Sequence, residues 1–362
     1  MPYLTPQALA ADLAVPDLTD PAHGPHAVQL VVAAVLAVVA GDGELVVDRG
    51  TRIVDVADNY DRLGYTPDAT TRDARYTRYV DARRLLRSQT SALVPPALRR
   101  IAATGRTDVV LACPGMVYRR DAIDRLHTGT PHQLDVWRLT GGSPLDAGDL
   151  HELVAAALAA ALPGMRRRTE PAVHPYTTGG LEIQALAGGG WVEVGECGLA
   201  ARHVLAGAGL PATVTGLALG LGLDRLVMLR KGIDDIRLLR SPDPRVAGQM
   251  RDLTPYRPVS AQPAARRDVS VAVPAGLTAE EVGDLVRACL GADARLVEEV
   301  AVRSVTPAGD LPEPARTRLG IRDGQVNMLV RVVLRDLDVT ITTAVANGVR
   351  DRVYDALHVA PA

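Results

Sequence analysis

The spacing of apolar positions sorts this chain into helical and extended stretches before any chemistry is considered. Ala27–Ala40 (AVQLVVAAVLAVVA) is almost continuously apolar and predicts a buried helix. It is too short to span a bilayer, and the preceding DLTDPAHGPH lacks the basic start of a secretion signal, so no membrane association is expected. Asp17–Asp20 and Pro21 read as an earlier helix opening. Leu45–Val47, Arg52–Asp55 and Val109–Leu111 predict strands, while Arg83–Arg87 and Pro96–Ala103 predict helices. Leu145–Leu162 reads as a helix from its Ala/Leu/Val content and its Asp146–Asp149 start. Strands return at Leu181–Ala187 and Trp191–Val194, followed by a helix near Ala201–Ala208.

Thr215–Arg225, TGLALGLGLDR, is the most informative stretch. It alternates small and apolar residues and ends in an acid–arginine pair. Gly216, Gly220 and Gly222 are expected to leave room for a ligand against the backbone, with Arg225 meeting its charge; glycine in a strand also marks bulges and close packing. Prolines at 242, 244, 255, 258 and 263 then mark Ser241–Pro263 as a connecting segment. Beyond it, a strand (Asp268–Val273), a helix (Ala279–Leu290), two strands (Leu296–Val302, Asn327–Leu334) and a helix (Thr343–Leu357) suggest a small split β-α-β module. The expected class is α+β: an antiparallel sheet with helices around it, then a compact two-layer module.

Composition changes this picture little. A length of 362 residues allows two domains or so. A formal net charge of −2 gives no bulk attraction for nucleic acid, so any RNA contact must come from local basic patches. Cys113, Cys197 and Cys289 form neither a CxxC nor a metal spacing, which fits a reduced, cytoplasmic setting. Arginine replaces lysine almost everywhere, Lys231 being the single lysine, and phenylalanine is absent. Coding bias accounts for the first. The second fits either drift or selection against dependence on that amino acid.

Thr215–Arg225 and the upstream segment Val117–His127 (VYRRDAIDRLH) together resemble motifs 2 and 3 of class II aminoacyl-tRNA synthetases, in wording similar to the phenylalanyl-tRNA synthetase catalytic subunit. Lys231–Asp243 (KGIDDIRLLRSPD) resembles the run that follows motif 3 in that family. The resemblance implies an ATP-dependent ligase that forms an aminoacyl adenylate and then aminoacyl-tRNA, with ATP and Mg²⁺ required. It also implies a synthetase-like domain over 1–245 and a linker over 246–263, while RRDVSVAVP (Arg266–Pro274) and VLRDLDVTITTAVAN (Val333–Asn347) resemble the ferredoxin-fold anticodon-binding domain of phenylalanyl enzymes and imply such a domain over 264–362. Whether the chain is a monomer or a homodimer stays open.

Residue by residue, the resemblance puts Arg119 on the α-phosphate, Asp121 near the adenine and Arg225 at the far end of the triphosphate. Guanidinium groups suit such oxygens because they donate two parallel hydrogen bonds. Glu182 and Glu193, in adjacent strands, could hold Mg²⁺, which prefers oxygen ligands and keeps several waters; surface ladder positions are the plain alternative. Gln133 and Asp135, in HTGTPHQLD (His127–Asp135), would hold the substrate ammonium, with Pro131 where the family stacks a phenylalanine on adenine. In LLRSQTSA (Leu85–Ala92), Ser91 would orient the substrate carboxylate, while Gln89 replaces a histidine.

The specificity segment departs most. His174 and Tyr176 stand where the family has two phenylalanines, and Glu196 stands at a glycine position, where it could intrude on the pocket or bind an amine. Buried imidazole and phenol groups want polar partners, so such a site would favour a more polar guest. In the C-terminal part, Val339 and Val345 replace an arginine and an acid, which weakens the expected RNA contact. A second reading therefore stands beside the first: a related ligase that activates another amino acid and passes it to a different, non-tRNA acceptor.

Overall fold

The computed structural model describes residues 3–41, 43–120, 124–259 and 262–358. In chain order the helices are α1 (Pro6–Ala14), α2 (Ala27–Val39), α3 (Val56–Asn59), α4 (Val94–Ala103), α5 (Ala147–Ala161), α6 (Arg202–Gly207), α7 (Leu223–Lys231), α8 (Pro244–Gln249), α9 (Ala279–Leu290), α10 (Glu313–Leu319) and α11 (Thr343–Leu357). The strands are β1 (Glu44–Val47), β2 (Ile53–Asp55), β3 (Arg84–Leu86), β4 (Val109–Met116), β5 (His132–Thr140), β6 (Arg167–Pro171), β7 (Thr177–Ala187), β8 (Gly190–Ala200), β9 (Thr215–Gly222), β10 (Ala265–Pro274), β11 (Val297–Pro307) and β12 (Gln325–Leu334).

These elements form two compact units whose segments interleave along the chain. One comprises residues 1–119, 130–233 and 247–256; the other comprises 120–129, 234–246 and 257–362. Residues 247–256, part of the stretch Ser241–Pro263 read as a connecting segment, thus fold with the first unit.

The first unit is built on a seven-stranded sheet in the order β1-β4-β5-β9-β8-β7-β6. The expected antiparallel sheet is in fact mixed, because edge strand β1 runs parallel to β4 while the other pairs are antiparallel. Period-two alternation in β9 sets its faces. Leu217, Leu219 and Leu221 are buried on one side, and the small residues Gly216, Ala218, Gly220 and Gly222 lie on the other. On the small-residue side, Ala218 joins Leu111, Cys113 and Trp137 in a core completed by Leu98 and Ile101 of α4 and by Val204 and Leu205 of α6. The apolar helix α2 packs with α5 and α7, and these helices also meet β4, β5 and β8.

Two local expectations change. Arg83–Arg87, expected as a helix, contains strand β3, which pairs antiparallel with β2. Leu85 and Leu86 are both fully buried, but in different clusters, one with Tyr60 and Tyr79 and the other with Met116 and Tyr118; opposite burial of neighbours requires an extended chain. The helix expected from Asp17–Asp20 is only a short turn, Pro21–His23, with Asp20 accepting from Ala22 N. The long helix opens later, where His26 Nδ1 accepts from Val28 N.

In the second unit, β12 lies between β10 and β11 and is antiparallel to both. That is the split β-α-β arrangement, with α9 following β10. Val282 and Val286 of α9 and Ala346, Val349 and Val353 of α11 share one core with Val269, Val271, Val330 and Val332. A capping box, in which Thr278 and Glu281 each take the other's backbone N–H, fixes the start of α9.

Candidate active site

Strand register aligns the candidate residues across the first sheet. Asp135 of β5 opposes Gly220 of β9, Gly220 opposes Glu196 of β8, and Glu196 opposes Glu182 of β7. Directly opposed residues share a face, so three carboxylates and one bare backbone position form a single row. Gly220 leaves real room, since a Cβ there would meet only atoms of Glu196, the nearest being Cγ at 3.5 Å. Gly222 is equally open, its nearest neighbour being Val194 O at 3.7 Å. Gly216 differs from expectation: a Cβ there would sit 2.9 Å from Leu139 Cδ2 and 3.0 Å from Arg138 O, so its smallness serves packing.

At one end of the row, Asp135 is held by the turn that follows β3. The Thr90 hydroxyl donates to Asp135 Oδ2 (2.6 Å) and the Ser91 hydroxyl to Oδ1 (2.9 Å), while Thr90 N donates to Gln133 Oε1 (3.1 Å). Pro95 and Pro96 pre-set the backbone for α4 just beyond this turn. Burial is the largest influence on the Asp135 carboxyl and raises its pKa to about 6, against the hydroxyl hydrogen bonds. Ser91 thus touches Asp135 rather than standing free. Gln89 is also committed: its amide donates to Asn59 O (2.9 Å), and its oxygen accepts from Tyr65 OH (3.2 Å).

Farther along the row, Glu196 accepts from the Tyr176 hydroxyl through Oε1 and contacts His174 Nε2 at 2.8 Å through Oε2. Burial opposes charge on both partners. The mutual hydrogen bond and charge nevertheless lower the Glu196 pKa and raise that of His174, with Glu193 and Glu182 adding to the latter. Tyr176 is buried among rings, with Tyr65 at 6.3 Å, Trp137 at 6.4 Å and a stacked His174 at 6.0 Å between centroids.

The two arginines are each engaged by backbone carbonyls. Arg119 Nε donates to Ser88 O (2.9 Å), and its charge is among those that lower the Glu196 pKa. Arg225 lies in the first turn of α7 and donates to Glu193 O (2.8 Å), with Glu193 Oε2 at 3.5 Å. Its neighbour Asp224 is buried and accepts from both the backbone N–H and Nδ1 of His132, while His132 Nε2 accepts from Leu18 N (3.1 Å). His132 and Asp224 therefore lock the start of α7 to β5. Asp121 lies outside the described residues.

Glu182 accepts from Gln184 Nε2 (2.6 Å), and Glu193 opposes Gln184, so the two candidate metal carboxylates are diagonal neighbours on adjacent strands. Among the described residues no group of three or more metal-ligating side chains occurs. Two carboxylates without a closed cage suit Mg²⁺, which keeps waters and takes its remaining ligands from phosphates. Sequence reasoning missed Thr90, His132, Tyr65 and Asn59, and took Asp224 only as the acid of an acid–arginine pair. Thr90 and His132 adjoin residues it had singled out; Tyr65 and Asn59 carry no local signal.

Residues 10–250 match the family model described as tRNA synthetases class II core domain (F), and the chain belongs to this family of ligases. The phenylalanine–tRNA ligase alpha subunit of Prochlorococcus marinus is 37% identical over 192 residues, covering 53% of this chain and 56% of that protein. The same subunit of Laribacter hongkongensis is 32% identical over 240 residues, covering 65% of this chain and 71% of that protein. The chain thus spans little more than half the length of the first of these relatives. Among solved structures, a pyrrolysyl-tRNA synthetase of Desulfitobacterium hafniense overlays with a TM-score of 0.48 at 16% identity, covering 60% of this chain and 74% of that one.

Proposed function

We propose that this protein is an ATP-dependent ligase that activates an amino acid as its adenylate and transfers the acyl group to tRNA. The observation that carries the proposal is the row Asp135–Gly220–Glu196, with open backbone at its centre, Arg225 next to Gly222 and the charge of Arg119 felt at Glu196. Asp135 and Gln133, both oriented by Thr90, offer acceptors to an ammonium group. An amino acid seated there lies over Gly220 and Gly222. Its carboxylate oxygen attacks the α-phosphorus, the bond to the bridging oxygen breaks, and pyrophosphate leaves. Arg119 and Arg225 stabilise the phosphate charge, preorganised donors at developing charge being the largest common source of such catalysis. Mg²⁺ held by Glu182 and Glu193 would neutralise phosphate oxygens. In the second step a terminal ribose hydroxyl attacks the acyl carbon, its proton is lost, and AMP departs.

The second unit supports an RNA-facing role through its split β-α-β core, which fits a ferredoxin-like anticodon-binding module. One observation favours a different acceptor. Val339 and Val345 line an exposed hollow whose arginines are already paired, Arg295 with Asp336 (3.0 Å) and Arg352 with Asp293 (2.7 Å). Each pairing sets a carboxylate beside the guanidinium, so the hollow offers little net positive charge to a phosphate.

Amino-acid-dependent ATP–pyrophosphate exchange tests the first step. Arg225→Ala is expected to abolish exchange while leaving the fold intact, and undiminished exchange would remove Arg225 from the reaction. Charging of total tRNA from the source organism tests the second. Activation without charging would turn the proposal toward another acceptor.

A further inference from the structure

Building on the adenylation reading above, we propose that Glu196 selects an amino acid whose side chain ends in an N–H or O–H hydrogen-bond donor, and that phenylalanine is not the substrate. Strands lie about 4.8 Å apart, so Glu196 stands about 10 Å from Asp135 along the row. An amino acid anchored through its ammonium at Asp135 therefore directs its side chain over Gly220 and ends at Glu196. The Glu196 side chain leans into this path, since its Cγ is the nearest atom to a Cβ built on Gly220, at 3.5 Å. The space left for a guest is correspondingly short.

The chemistry at the end of the path is polar and anionic. Each Glu196 oxygen already accepts one hydrogen bond, from Tyr176 and from His174, and each retains capacity for a second. About a third of the Glu196 side chain (35%) stays accessible despite the rings around it. Tyr176 is almost fully buried, and its hydroxyl is spent on Glu196. The residue that meets a guest's terminus is the carboxylate. An apolar terminus would strip water from it without replacing the lost hydrogen bonds, whereas a donor would fill the vacant acceptor position. Glu196 is also among the influences raising the Asp135 pKa, so its charge is felt at the other end of the row.

The test is ATP–pyrophosphate exchange by the full chain with the twenty standard amino acids and with near-isosteric pairs: valine against threonine, leucine against asparagine, phenylalanine against tyrosine and 4-aminophenylalanine. At least one donor-bearing amino acid is expected to support exchange and to exceed its apolar partner about 10⁴-fold in kcat/KM, as in sites built around a substrate hydrogen bond. Glu196→Ala should bring the pair toward parity by lowering the donor-bearing member and raising the apolar one, which no longer strips water from a carboxylate; Glu196→Gln, which keeps the shape, should give an intermediate ratio. Preference for phenylalanine or another apolar amino acid would overturn the inference and leave the adenylation reading standing. An unchanged pair ratio in Glu196→Ala would overturn it too, showing a purely structural glutamate. Silence with every amino acid would remove the adenylation reading itself, and the inference with it.

Discussion

Asp135 shows what burial does to a single carboxylate, and what its proposed role in holding an ammonium group would cost in stability. Burial, the largest influence, moves its pKa from 3.8 to about 6. A carboxyl with a raised folded pKa holds its proton more tightly in the native state than in the unfolded chain. The stability it contributes is therefore present below about pH 4 and falls as pH climbs to about 6. The shift corresponds to at most about 3 kcal/mol of native-state cost at neutral pH. Asp135→Asn removes the ionisation and keeps one acceptor for the two hydroxyls, so either Thr90 or Ser91 must turn its hydroxyl round to accept from the amide N–H. The variant is expected to resist urea better than the parent at pH 7.5, with the advantage vanishing near pH 4. Its amino-acid KM should rise sharply, because an amide no longer attracts an ammonium. Greater urea sensitivity at pH 7.5 would show that the hydroxyl pair depends on the anion more than burial penalises it.

The same economy of position operates along β9, where one face of one strand changes role within six residues. Gly216 meets the Leu139 side chain and the Arg138 carbonyl, whereas Gly220 faces the open row. Gly216→Ala is expected to lower stability by about 1–3 kcal/mol through overpacking, with KM values little changed. Gly220→Ala should leave the thermal midpoint near that of the parent and raise the amino-acid KM. Midpoints and exchange kinetics on the two proteins check this, and the reverse pattern would exchange the assignments. The strand was legible in the sequence because its small/apolar alternation is a local, period-two signal. Which glycine packs and which stays open was not legible, since that depends on Leu139 and Glu196 in neighbouring strands. Arg83–Arg87 was misread for a related reason. Two leucines among arginines fit a helical turn as well as a strand, and only pairing with Ile53–Asp55 decides between them.

At the scale of the whole molecule, the features least visible in the sequence are those that gather distant stretches. The second unit takes in residues 120–129 and 234–246 besides its own sheet, and Glu298 of β11 joins all three. This glutamate is only 4% exposed. It accepts from Arg335 Nε, with Arg125 Nε at 3.6 Å and an Arg237 nitrogen at 3.8 Å. No periodicity or motif links these four positions, so the knot emerges only from folding. One carboxylate facing several guanidiniums leaves them mutually repelling once it is removed, though their partial exposure lets water screen much of that cost. Glu298→Ala is therefore expected to destabilise the protein by about 1.5–3 kcal/mol, the range for lost hydrogen bonds to charged groups. Glu298→Gln, which keeps the acceptor and loses the charge, should cost less. Urea unfolding of both variants at low and high salt checks this: the cost of Glu298→Ala should shrink as salt screens the arginines. A salt-independent loss would instead assign the role of Glu298 to packing, and no loss would leave Arg125 and Arg237 as surface charges that merely lie nearby.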